Sequence, residues 1–220
     1  MNRTAARLFP VLMAAGLIAA TLAGCSSTPP PPDWQMAARI SLDRAAEAWL
    51  QGNERVADAE MQRVRRELRS TGQPALLARA ELHHCATRVA ALQPGDCPAF
   101  EPLAADAAPA DQAYARYLKG QATEADRALL PPAQRQPLAD VADPLSRLVA
   151  AGVRLQSGEI TPADVARAVD TASAQGWRRP LLAWLRVQQA RAQAGGAVEE
   201  PARLQRRIDL VAPPPPSAPK

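Results

Sequence analysis

Aromatic side chains make up only 4% of the 220 residues, and alanine and leucine are abundant in their place. A core built on large rings is thereby excluded, so helices must approach closely over small side chains. Lysine is nearly absent, at Lys119 and Lys220 alone, and the remaining cations are arginine, a bias read as coding preference before function. An excess of one sign of charge is missing as well. The formal net charge is +4, but Arg3 and Arg7 near the N-terminus are two of the 26 cations set against 22 acidic side chains. So close a balance argues against nucleic acid as a partner.

Catalytic patterns are missing too. There is no Gly-rich phosphate loop, no serine on a nucleophile elbow and no zinc-protease helix. The carboxylates are spread among arginines along helical stretches, the pattern of a solvated face rather than of an acid–base pair. A lone helical glutamate acting on peptidoglycan leaves little local signature. A cell-wall processing enzyme, or the cofactor of one, therefore stands as the alternative to a non-enzymatic reading. No cofactor and no metal ion are expected. Strands are not predicted, because no segment alternates with period two or strings β-branched residues together.

What is present begins at the N-terminus, with MNRTAARLFPVLMAAGLIAATLAGCSS. Two arginines, an apolar run from Leu8 to Leu22 and then small residues make the three-part layout of a secretory signal. The run is too short for a span, which takes about 20 apolar residues, and Pro10 and Gly16 interrupt it. The order Leu22-Ala23-Gly24-Cys25 resembles the lipobox of bacterial lipoproteins. That resemblance covers the signal region only. It implies that the Cys25 thiol receives a diacylglycerol, that cleavage falls just before it, and that the new amino group is acylated, with several chains holding the protein where one would not. Ser26 after the modified cysteine, where some lipoproteins carry Asp, implies passage to the outer membrane and an inner-leaflet anchor facing the periplasm.

Residues 1–24 are thus read as signal peptide and 25–33 as lipidated cysteine and tether. The prolines of SSTPPPPD make a stiff spacer of about 3.1 Å per residue. A second proline-rich tail, 212–220, is read as disordered. Between them, 34–211 reads as one all-helical domain. Ala57, Met61, Val64 and Leu68 share a helical face, as do Ala78, Leu82, Cys85, Val89 and Leu92, then Leu145, Leu148, Gly152 and Leu155, then Leu204, Ile208 and Val211. Glycines follow these segments, and Pro74, Pro144, Pro162, Pro180 and Pro201 open the next ones. Such helices with short links fold back as antiparallel hairpins. The proline-rich connection from Pro94 to Pro109 is the exception, and divides segments 34–93 and 110–211.

A repeat is also visible. Leu50-Gln51 and Leu76-Leu77-Ala78 recur as Leu155-Gln156 and Leu181-Leu182-Ala183, and Ala45, Ala46, Glu54 and Val64 match at the same spacing, with chance and duplication both able to explain it. The unit AEAWLQGNERVADAEMQRVRRELRSTGQP resembles a tetratricopeptide hairpin at Trp49, Gly52, Ala57 and Met61. The resemblance implies stacked hairpins in a tetratricopeptide-like or short α-solenoid arrangement, although departures from the full consensus do not imply a regular array.

The stretch ELHHCATRVAALQPGDC, residues 81–97, holds both histidines and the last two cysteines. Outside the cytosol a Cys85–Cys97 bridge is favoured, and the turn residues Gln93-Pro94-Gly95-Asp96 give the chain the reach to fold back. Zinc is the second reading, weakened because His83, His84 and Cys85 are consecutive and point about 100° apart on a helix. Free thiols are the third. The histidines are expected at the surface. Trp177, Arg178, Arg179, Trp184 and Arg186 form the candidate contact patch, set against a reading as two core tryptophans with a charged rim. The function expected is a lipid-anchored helical module that binds another envelope protein.

Overall fold

The computed structural model describes residues 30–213. The leader, Cys25 and most of the C-terminal tail lie outside them. Among the described residues every regular element is helical, as the periodicity requires.

Helix α1 (Asp33–Gln51) starts where the proline run ends, and α2 (Glu54–Arg69) begins under an Asn53 cap whose side chain accepts from the Val56 amide. With two residues between them, the helices form an antiparallel hairpin. The α2 face expected to be apolar is buried, at Ala57, Met61, Val64 and Leu68. Helix α3 (Pro74–Ala90) opens on a proline whose missing amide is not needed there, and packs on both earlier helices. Just past its end, Leu92 takes a left-handed φ of 55° that glycine usually supplies. The Leu92 side chain packs on the core, which offsets the backbone cost.

A short 3-10 turn, Glu101–Asp106, lies against α3 within the proline-rich connection. After α4 (Pro109–Leu118) the chain departs from the expected helix. Residues 119–143 hold one helical turn, α5 (Glu124–Arg127), and two 3-10 turns around Pro131, Pro132 and Pro137. Three prolines so close together remove the donors that a longer helix would need. Regular structure resumes with α6 (Pro144–Gln156), α7 (Pro162–Ala174), α8 (Arg178–Ala194) and α9 (Glu200–Val211). Asp143 caps α6, and Thr161 with Asp164 forms a reciprocal capping box on α7.

Neighbouring helices pack in chain order from α6 to α9, while α3 packs on α6 and α8 returns to α1. The main core runs through both segments, from Trp49 and Leu82 to Leu148, Trp184 and Leu204. A smaller cluster of Ala38, Ala45, Met61, Val64, Leu68 and Ala80 fills the space beneath α1 and α2. The sequence repeat has a structural counterpart. Helices α1 and α2 end at Gln51 and Arg69, α6 and α7 at Gln156 and Ala174, so both pairs of ends are 105 residues apart. The third helix of each triplet, α3 or α8, packs on the first helix of the other. Each triplet buries the face that the other leaves open, as the halves of an isologous dimer do.

The α3–α6 crossing is close because of Gly152. A Cβ at that position would lie 2.5 Å from the Val89 carbonyl oxygen and 3.0 Å from Val89 Cγ1. No side chain fits without moving a helix.

Candidate functional site

The residues read as a contact patch lie at the closure between α8 and α1. Trp184 is fully buried and donates its Nε1–H to the Ala90 carbonyl at 3.1 Å. Trp177 is buried and donates to Glu47 Oε2 at 2.9 Å. Arg179 donates through Nε to the Trp49 carbonyl and through Nη2 to Glu54, both at 2.9 Å, and its guanidinium sits 4.1 Å from the Trp49 ring centroid. Both tryptophans are therefore core residues, because their rings fill the space between helices and their donors find partners 94 and 130 residues away. Only Arg178 and Arg186 of the five are exposed. The patch is corrected to a clasp with a charged rim.

Cys85 and Cys97 are buried and lie at disulfide distance, with Cα atoms 5.9 Å apart. The reason is the turn after Leu92, which brings the chain back along the last turns of α3. His83 and His84 are not at the surface but half-buried. Burial lowers both imidazoles below the ordinary 6.5, because desolvation disfavours the charged form. His84 meets the Trp49 ring edge-on at 5.8 Å, and neither His84 Nδ1 nor Trp49 Nε1 has a hydrogen-bond partner among the described residues. Among the described residues no group of three or more His, Cys, Asp and Glu is placed to hold a metal ion.

Buried carboxylates are tied to arginines. Glu81 receives both Nε and Nη2 of Arg65, at 2.6 and 2.9 Å. Asp126 accepts from Arg116 Nε at 3.0 Å and from Thr123, and the guanidinium holds it well below the usual carboxylate range. Glu60 accepts from Arg63 at 3.2 Å through one oxygen, while its other oxygen is buried without a partner among the described residues.

A cleft of about 890 Å³ opens where the ends of α4 and α6 meet α5 and the proline-rich turns. Its apolar lining comes from Leu130 and Val153, both buried, and from Pro137. Tyr117 donates its hydroxyl to Gln134 at 2.8 Å and stacks on Tyr114, and burial pushes its phenol up. Gln156 donates to the Leu118 carbonyl at 3.3 Å and joins the two helix ends. Five charged side chains line the cleft. Arg127 pairs with Glu124 at 3.0 Å and Arg154 lies 3.8 Å from Asp164, outside the lining. Arg135 and Glu159 have no charged partner among the described residues. The cleft was missed in the sequence, where Pro131, Pro132 and Pro137 were its only signal.

No family model, curated protein or solved structure matches the chain. Its function must be read from its own residues.

Proposed function

We propose that this protein is a lipid-anchored periplasmic interaction module, held by Cys25 on the inner leaflet of the outer membrane and binding another envelope component through its helical domain. The observation that carries the reading is the order Leu22-Ala23-Gly24-Cys25 at the end of an apolar run, followed at once by a proline-rich spacer. Such a spacer extends rather than folds, and presents the domain away from the lipid.

Other features support it. No helix among the described residues is long and apolar enough to cross a membrane. Cys85 and Cys97 sit at bridging distance, which suits an oxidising compartment; we take them as a structural disulfide. The buried carboxylates Glu81 and Asp126 serve arginine pairs that tie segments together.

Fractionation tests the anchor. The wild-type chain goes with the outer membrane, and Cys25→Ser leaves it soluble or in the inner membrane as unprocessed precursor. Recovery of the variant in the outer membrane refutes the anchor. For the partner, the lipidated chain is cross-linked in intact cells and purified. A specific envelope protein recovered at near-equimolar yield supports the module, and recovery of cleaved glycan fragments alone favours the enzyme.

A further inference from the structure

We infer that the cleft between the ends of α4 and α6 binds a short zwitterionic peptide, with a carboxylate on Arg135 and an ammonium group on Glu159. The volume of about 890 Å³ lies within the range of small-ligand sites and is too confined for a folded partner. Its apolar lining at Leu130, Val153 and Pro137 suits an aliphatic body. Charge then decides the class. Arg127 is matched by Glu124 within the cleft and Arg154 faces Asp164, which leaves Arg135 and Glu159, of opposite sign, without charged partners among the described residues. A simple anion would answer Arg135 and meet repulsion from Glu159, and a simple cation would do the reverse. Only a ligand with both charges answers both.

The backbone agrees with this polarity. Helices α4 and α6 end beside the cleft, at Leu118 and Gln156. The negative ends of their dipoles favour an ammonium group near Glu159. Peptides with free termini have this chemistry, and so do the stem peptides of the cell wall, whose diamino acid carries a further ammonium and carboxylate. The choice between these sources rests on the periplasmic location proposed above; the zwitterion itself does not.

The test is a calorimetric and amide-NMR titration of the full chain purified in detergent. The probes are L-Ala–γ-D-Glu–meso-diaminopimelate, L-Ala–L-Glu–L-Lys with free termini, and the latter with acetylated amines and amidated carboxyls. Binding of either charged peptide, with shifts confined to the cleft and no binding of the capped one, is expected. Arg135→Gln and Glu159→Gln should each weaken it about two- to fivefold, the scale of exposed charge pairs. Both side chains are exposed, and unchanged urea midpoints will show that the variants fold.

Tighter binding of the stem peptide assigns the cell wall as source, and equal binding assigns peptides in general; either outcome supports the zwitterion. Equal binding of the capped peptide, no saturable binding, or affinity indifferent to both substitutions overturns it. None of these results alters the fractionation of Cys25→Ser, so the site and the anchor fail separately.

Discussion

Replacing Gly152 by alanine should destabilise the fold although alanine is the better helix former. In an isolated helix the change gains about 1 kcal/mol. Here the new methyl meets the Val89 carbonyl oxygen at 2.5 Å and the Val89 carbonyl carbon at 3.2 Å, and backbone cannot rotate aside as a side chain can. Forcing α6 away from α3 costs about 2 kcal/mol as overpacking. The next carbonyl along α3, that of Ala90, accepts the only hydrogen bond of the buried Trp184 indole at 3.1 Å, so the shift leaves a buried donor unpaired at about 2 kcal/mol more. The net loss is about 3 kcal/mol, or a melting temperature lower by about 6–12 °C for a domain of this size. Thermal and urea unfolding followed by circular dichroism measure it. Gly195→Ala is the control, because Gly195 has a φ of −80° and the nearest atom to a Cβ lies at 3.4 Å. A Gly152→Ala protein that melts with the wild type or above it refutes the reasoning.

Three further outcomes are expected. Converting Cys85 and Cys97 together to alanine should cost about 3 kcal/mol by the loop-entropy account; reductant should lower the urea midpoint of the wild type and leave that variant unmoved, and no reductant effect on the wild type would show that the bridge is absent. Burial depresses both imidazoles, so as pH falls through about 6.5 the unfolded chain takes up protons first; stability is full above that pH and declines below it. Urea midpoints at pH 7.5 and 5.5 should differ less in a His83→Asn, His84→Gln protein, and an equal difference would count against the histidines as the cause. Arg179→Lys should lose about 1–2 kcal/mol, because an ammonium group cannot both stack on Trp49 and hold its carbonyl and Glu54, whereas Arg178→Lys, at an exposed position, should leave the midpoint in place.

Much of the architecture was legible because it is local. The stripe of Ala57, Met61, Val64 and Leu68 is buried as its spacing requires, and the cap at Asp143 and the capping box at Thr161 and Asp164 stand where short polar side chains precede a periodic run. The repeat was legible as identities at a fixed spacing, and the matching helix ends give it a structural meaning. Reading failed where clustered prolines outweigh helical composition, and where distant chain decides. Residues 119–143 looked helical in composition, yet their prolines break the element and build the cleft. Trp177 and Arg179 had the composition of a binding surface, and nothing local could show that Glu47 and Trp49, 130 residues earlier, would cover them.

By itself the sequence determined the helical class, the ends of most helices and that Cys85 and Cys97 lie within reach of one turn, since each depends on residues a few positions apart. Only the tertiary structure decided that α8 closes on α1, that Gly152 admits no methyl group, that the histidines are half-buried, and that Arg135 and Glu159 line one cleft without charged partners among the described residues. Those facts depend on which helix faces come together, and packing between segments far apart in the chain sets that.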